Sequence, residues 1–464
     1  MSSSLEVARG FRWIRRIRKK QEVKKPNTIK RCTTSISRKE THPTSREHPP
    51  PSQLSPHWIK QLNHSPYIYT SSRLQTQNRK MTEPKSPYHL PPFSISPPLV
   101  NSSNPWASDE SQLLALYQCP HTGAVTTRTS LLEAFSQDTS KHQHTFFSPQ
   151  LGHSTIPSLH PDSKGEESHT TAENEEYQDP TSSLNTYGYS PHPFTQYLTW
   201  LRKFRDSNLL TGILDPQTGV RKRKPFIIST TGPPSEIHTH LTALLTLQNE
   251  PLTLSSRQRE GEGLEVLLEI NLSCPNIPGK PPPAYHPPLL LEYLVAIEEA
   301  KSSFLATRAK ERGDDAISHG VHVGLKTPPF TYTTQFTSLL SLPGFSKSIS
   351  FITAVNTLGG CLLLSSSGQN ALGSENGWGI GGMAGSALHP IALGNVRTLR
   401  QLLDSDEDEG LKNIKIVGVG GVRDRAGFER IRGVGADVVG VGTEFGRGGV
   451  RVFGRIGGEE SGRL

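Results

Sequence analysis

Residues 86–464 of this chain predict an α/β protein folded as a closed (β/α)8 TIM barrel, preceded by a disordered basic extension over residues 1–85. Three observations carry that expectation. Eight short runs of apolar or β-branched residues recur along the chain, most of them apolar on both faces, as parallel strands covered by helices require. The spacers between them hold helix-forming stretches. Glycines, asparagines, a cysteine and a lysine fall just after the runs, at the end of a parallel barrel where binding and catalytic groups gather.

In order, the runs are Pro98–Asn101, Gly123–Thr127, Phe226–Ser229, Val266–Leu272, Val321–Lys326, Phe351–Asn356, Ile414–Val419 and Val438–Gly442. Helical spacing is plainest in Pro287–Lys301 and Ala392–Leu403. Eight strands with helical crossovers favour a closed barrel over an open sheet. One stretch breaks the pattern: residues 134–180 are polar, carry an acidic patch at Glu173–Glu176, and read as a low-complexity loop insertion.

The basic character of the chain is local. Residues 1–80 hold 18 Lys and Arg against Glu6, Glu22, Glu40 and Glu47. The remainder therefore carries a net charge of −6 within a whole-chain charge of +8. Any nucleic-acid or membrane role argued from the basic pI would rest on this tail alone, so neither partner is expected. Rich in Ser, Thr, Pro, Lys and Arg, the tail has too few apolar positions to offset the entropy of ordering it. Met81 is a candidate true start, which would leave the tail untranslated. Phe11–Lys20 is Arg-rich and is the one segment that could act as a transit peptide. The expected location is cytoplasmic, and mitochondrial only if the tail works in that way. No run of apolar residues is long enough for a transmembrane helix. Cys32, Cys119, Cys274 and Cys361 show neither a CxxC pair nor zinc spacing, so no metal is expected and a reducing compartment is the simpler setting.

Chemistry concentrates after the later strands. The fourth ends in Asn271-Leu-Ser-Cys274-Pro-Asn276, the fifth in Lys326, and the sixth in Asn356-Thr357. The seventh and eighth end in Gly420-Gly421 and Gly442-Thr443. Glycine turns after adjacent strands expose backbone N–H groups with no Cβ in front of them, which suits a phosphate. Gly381–Gly385, read as a third glycine-rich turn, can add donors; the plainer alternative is that these glycines only make tight turns. Asn271 and Asn276 each offer a donor and an acceptor to a flat polar ring. Cys274 between them can act as a base if its thiol is acidified, or can be inert. Lys326 at the end of an apolar strand needs a compensating partner, either a flavin ring edge or a neighbouring acid.

The segment EINLSCPNIPGKPPPAY (Glu269–Tyr285) resembles the signature of the dihydroorotate dehydrogenases. The resemblance runs from about Phe93 to Ile456, the insertion apart. It takes in NSSN (Asn101–Asn104), GAVTTRTSLLE (Gly123–Glu133), SSLNTYGY (Ser182–Tyr189), VGLKTPP (Val323–Pro329) and AVNTLG (Ala354–Gly359). It continues through Gly381–Val396, Ile416–Val422 and Gly435–Phe445. A cysteine in the loop resembles the soluble class, which passes electrons to fumarate; the membrane-bound, quinone-using class has serine there.

The resemblance implies oxidation of (S)-dihydroorotate to orotate in de novo pyrimidine synthesis. Its implied cofactor is FMN, its second substrate pair fumarate and succinate, and its assembly a homodimer. It implies Cys274 as the catalytic base. Arg128, Asn185, Asn271, Asn276, Asn356 and Thr357 would hold the substrate, with backbone groups of Tyr187, Gly188 and Tyr189. Ser102, Ser103, Arg128, Thr129 and Lys326 would surround the flavin ring, and Gly385, Gly420, Gly421, Gly442 and Thr443 its phosphate.

The chain departs from that pattern in three places. Arg128 stands where the family has a Lys, and a forked guanidinium is not equivalent to an ammonium at a tight site. Tyr187 replaces a Met and Tyr189 a Leu. After Ile456 the chain runs into Gly457-Gly458 and ends at Leu464, so the last barrel helix is expected to be short or absent. Two alternatives follow: an FMN enzyme with a related substrate, or a non-catalytic barrel whose tail binds partners.

Overall fold

The computed structural model describes residues 88–154, 179–207, 209–210, 213–214, 221–222, 224–251, 264–277, 282–312 and 318–458. The basic tail and residues 155–178 of the expected insertion lie outside the described residues.

Each of the eight expected runs carries one strand of a single parallel sheet. The strands are Leu99–Asn101, Val125–Thr126, Phe226–Thr230, Val266–Asn271, His322–Thr327, Phe351–Ala354, Lys415–Val419 and Val438–Val441. Neighbours in the sheet are neighbours in sequence, and the eighth strand pairs with the first through Val439↔Leu99, Gly440↔Val100 and Val441↔Asn101. A parallel bridge between Val100 and Ala124 joins the first strand to the second and closes the ring. The TIM barrel is therefore established by strand order and register.

Alternation along the strands divides the core in two. Val100, Ala124, Ile227, Leu267, Phe351, Val417, Val419 and Val438 fill the barrel interior, plugged from below by Ile95 and Phe93. Gly324 is required in that interior, because a Cβ there would sit 2.3 Å from the Phe351 ring. Outward-facing residues such as Ile228, Leu268, Ile270, Leu325 and Ile352 pack under the helices in a second, larger cluster. Each such side chain contributes about 1.5–3 kcal/mol by leaving water.

Helices follow the strands in the expected alternation, among them Glu110–Gln118, Phe194–Asp206, Pro234–Gln248, Pro287–Arg312, His389–Ser405 and Arg425–Gly433. Local chemistry fixes their starts. Asp109 and Gln112 form a reciprocal capping box on the first, and Asp424 accepts from the Gly427 amide at 2.7 Å on the last. After the eighth strand the chain forms two short helices, Thr443–Gly448 and Val452–Gly457. The closing helix is thus short, as expected, yet it buries Val452, Phe453 and Ile456.

One feature differs from expectation. Residues 134–154 are not simply a loop: His144–Phe147 is a strand. It pairs antiparallel with Ser182–Asn185, which pairs with Ile380–Gly385, which in turn pairs with Leu358–Leu362. These strands belong to a second, six-stranded sheet that supplies part of the lining of the cleft described next. The glycine-rich segment Gly381–Gly385, expected as a turn, is one of its strands, and only Ala384 and Gly385 reach the cleft. Glycine is needed there for close approach, since a Cβ on Gly381 would lie 2.3 Å from the Asn185 carbonyl oxygen.

Candidate active site

At the C-terminal ends of the barrel strands lies a cleft of about 1140 Å³ of atom-free space, its open mouth included. Its lining contains every residue singled out from the sequence: Ser102, Ser103, Arg128, Thr129, Asn185, Tyr187, Gly188, Tyr189, Asn271, Cys274, Asn276, Lys326, Asn356, Thr357, Gly385, Gly420, Gly421, Gly442 and Thr443.

One end of the cleft is backbone. Gly420 and Gly421 follow the seventh strand at φ +142° and +72°, where L side chains are strained. A Cβ on Gly421 would lie 2.6 Å from His389 Cβ and 2.8 Å from the Gly385 carbonyl oxygen; one on Gly385 would lie 2.5 Å from the Thr181 oxygen. His389 ties this turn to the next helix. Arg430 Nε donates to His389 Nε2 at 3.2 Å, so Nδ1 holds the ring proton and donates to the Gly420 carbonyl at 2.7 Å. Thr443 and Ser183 share a hydroxyl contact of 2.9 Å across the same end. A cradle of this kind, which any Cβ would fill, suits a phosphate group.

The other end is made of side chains. Asn271 Nδ2 donates to Thr129 Oγ1 at 2.9 Å, and Thr129 shares 3.0 Å hydroxyl contacts with Ser103 and Ser229. Asn356 Nδ2 donates to Asn271 Oδ1 at 3.2 Å and to Ser273 Oγ at 3.0 Å. Asn276 Nδ2 donates to the Tyr187 carbonyl at 2.8 Å and to Asn185 Oδ1 at 3.1 Å. Those acceptors fix the orientation of the Asn276 amide. Its Oδ1 is buried with no partner among the described residues, an acceptor suited to an N–H group of a ligand. Beneath this floor Glu269, inside the barrel, accepts from Ser229 Oγ at 2.8 Å and Thr353 Oγ1 at 2.7 Å.

Two buried lysines show what is special about this end. Lys224 donates to the carbonyls of Leu116, Tyr117 and Cys119 and to Thr122 Oγ1 at 2.6–3.2 Å, and so closes the first helix. Lys326 is equally buried but lines the cleft, where its charge acts on Cys274. Among the described residues it forms no ion pair with an acid. Burial pushes the Cys274 thiol above its ordinary range. The Asn276 amide, the Lys326 charge, the Tyr189 phenol and the Arg128 charge all pull it back down.

Facing the cysteine is a wall that the sequence only half disclosed. The Arg128 guanidinium lies over the Tyr187 ring, 5.3 Å from its centroid. Tyr187 OH shares a 3.0 Å hydrogen bond with His144 Nδ1, and His144 meets Trp106 edge to face at 5.3 Å. His144 and Trp106 line the cleft and were not anticipated. Trp106 directly follows the NSSN segment by one proline and could have been suspected from that position; His144 sits in the supposed loop insertion and gave no signal. Arg423, also unanticipated, brings a positive charge to the glycine end, directly after Gly420-Gly421-Val422.

Residues 253–461 match the family model described as dihydroorotate dehydrogenase. That match takes in 209 of the 464 residues, in the C-terminal half of the chain. Among curated proteins it is 29% identical over 222 residues to one from Streptococcus agalactiae serotype Ia, provisionally named dihydroorotate dehydrogenase A (fumarate), covering 47% of this chain and 61% of that one. It is 28% identical over 209 residues to the dihydroorotate dehydrogenase (fumarate) of Saccharomyces mikatae, covering 45% and 57%. The chain thus spans about three fifths of the length of these relatives. A crystal structure of DHODH in complex with ferulenol from Eimeria tenella overlays 78% of this chain and 79% of its own at 14% identity, with a TM-score of 0.47. The strand order establishes the barrel independently of that overlay. The family match covers Asn271, Cys274, Asn276, Lys326, Asn356 and the glycine cradle, while Arg128, His144, Asn185, Tyr187 and Tyr189 lie before it.

Proposed function

We propose that this protein oxidises (S)-dihydroorotate to orotate, with FMN as cofactor and fumarate as the final acceptor, as a step of de novo pyrimidine synthesis. The observation that carries the proposal is the setting of Cys274: a thiol among three asparagines, faced by a buried lysine that among the described residues has no acid paired to it, in the same cleft as a glycine cradle. The family match across residues 253–461 supports it.

The residues present fit the cofactor. Gly385, Gly420, Gly421, Gly442 and Thr443 would hold the phosphate, where any Cβ would intrude. Ser102, Ser103, Arg128, Thr129 and Lys326 would hold the ring. Bound FMN supplies the acceptor for the substrate's C6 hydride. Asn185, Asn271, Asn276, Asn356 and Thr357 orient the pyrimidine, with Asn276 Oδ1 accepting from a ring N–H. Cys274 Sγ, as thiolate, takes the C5 proton, so the thiolate form is the active one. Of the charges around it, Lys326 and Arg128 both favour that form.

A second reading, an FMN enzyme for a related cyclic acid, is favoured by one observation. Arg128, Tyr187 and His144 form a coupled wall whose donors differ from the family's Lys and Met. An anaerobic visible spectrum of the purified protein distinguishes the readings. Flavin that bleaches with dihydroorotate and recovers with fumarate supports the proposal. Flavin that stays oxidised moves it to the related substrate, and folded protein that takes up no FMN removes both.

A further inference from the structure

The glycine cradle has a weakness built into it. Gly420 and Gly421 are joined by one trans peptide, in which the carbonyl and the N–H point in opposite directions. Glycine on both sides lets that peptide turn over at little steric cost. A half-turn would present a carbonyl to the cleft in place of an N–H, and a carbonyl repels the phosphate that an N–H binds. A group outside the turn must therefore fix the peptide plane.

His389 is placed to do this. It stands at the start of the helix His389–Ser405, buried behind the turn and outside the lining of the cleft. Its Nδ1 donates to the Gly420 carbonyl at 2.7 Å, so the Gly421 N–H points away from the imidazole. That N–H has no partner among the described residues, and Gly421 itself lines the cleft. The imidazole is fixed in turn. Arg430 Nε, from the helix Arg425–Gly433, donates to His389 Nε2 at 3.2 Å and keeps the ring proton on Nδ1. The turn is also pressed close against the helix that carries His389. A Cβ on Gly420 would lie 2.6 Å from Ala392 Cβ, and one on Gly421 3.1 Å from His389 Cα.

We propose that His389 is a positioning residue for the flavin phosphate: through the Gly420 carbonyl it aims the Gly421 N–H at that group. Arg430 holds the imidazole in the tautomer that can do so. Neither side chain lines the cleft, and together they set which edge of one peptide a ligand meets. The inference rests on the proposed use of FMN and adds to it a selection of the phosphorylated flavin over riboflavin, which has the same ring and no phosphate.

The experiment is a fluorescence titration of the deflavinated full-length protein with FMN and, separately, with riboflavin. The ratio of the two dissociation constants reads the cradle, because damage to the ring site or to the fold weakens both. His389→Phe keeps a ring without an N–H. It should lower the preference for FMN about five- to thirtyfold, with riboflavin binding within about twofold of wild type. His389→Asn, whose Nδ2 can take the place of Nδ1, should restore most of the preference. Arg430→Met should lower it about two- to fivefold, since the ring proton is then free to move to Nε2. A preference unchanged in folded His389→Phe overturns the proposal, whether both affinities are kept or both fall equally; His389 would then serve the fold alone. Equal loss of preference in His389→Asn and His389→Phe also overturns it. If His389→Phe does not fold, an unchanged preference in Arg430→Met does so. Wild type that takes up neither flavin is a separate failure: it removes FMN as the cofactor, and the proposal falls with it.

Discussion

The cleft has two walls of different origin. One comes from residues within 253–461: the Cys274 loop, Lys326, Asn356 and the glycines at 385, 420, 421 and 442. The other comes from residues before that span: Trp106, Arg128, His144, Asn185, Tyr187 and Tyr189. The three positions at which the resemblance implies a departure inside the cleft, Arg128, Tyr187 and Tyr189, lie on the second wall. The first wall is built from a thiol, a buried charge and bare backbone. The second is built from rings and hydrogen-bonding side chains that can be exchanged while the cleft keeps its shape. On the proposed function, the reacting thiol and the phosphate cradle belong to the first wall, and much of the fit to the substrate to the second.

Removing the thiol should break that division most visibly if it is wrong. Cys274→Ala is expected to slow flavin reduction by dihydroorotate about 10²- to 10⁴-fold in stopped-flow measurements, the range for loss of a general base, with flavin content unchanged. Loss of flavin along with rate would mean that the two ends of the first wall are not separable. Gly421→Ala should do the converse. The strained φ of +72° and the 2.6 Å approach to His389 Cβ should weaken FMN binding by about 10- to 100-fold in fluorescence titration, while Cys274 alkylation stays as in wild type.

Acid should act on the scaffold beneath both walls. His240 is fully buried against Phe194, with neither ring nitrogen partnered among the described residues, and burial pushes it down to about 4. Between its ordinary value of 6.5 and that lowered one, the unfolded chain binds the proton and the folded chain does not. Stability present above pH 6.5 is therefore lost as pH falls toward 4, by about 2 kcal/mol at pH 5. Urea unfolding at pH 7.5 and pH 5 should show this loss, and His240→Leu should reduce it; an undiminished loss would place the acid-sensitive group elsewhere. The smallest effect belongs to the second wall. Tyr187→Phe removes the hydroxyl bonded to His144 and should change KM for dihydroorotate about two- to tenfold with kcat nearly constant. A fall in kcat equal to the rise in KM would give this wall a part in the chemistry.

The barrel was legible because its strands are buried on both faces, so each wrote an apolar run into the sequence that period alone could find. Strand ends are then the only places for polar loops to gather, and Asn271, Cys274, Asn276, Lys326, Asn356 and the glycine turns could be assigned to one face of the fold before any coordinate. The capping sheet was not legible. Its strand Leu358–Leu362 alternates between half-buried and exposed, and His144–Phe147 lies in a polar stretch, so neither gives a run that stands out. What orders them is pairing between segments far apart in sequence, His144 with Asn185 and Asn185 with Gly382. Sequence alone determined the strands, the cysteine loop and the phosphate-type turns, because local burial and local backbone freedom dictate them. Only the tertiary structure decided that His144 bonds Tyr187 and that Asn276 bonds Asn185, because those contacts depend on register and packing between elements that no local pattern encodes.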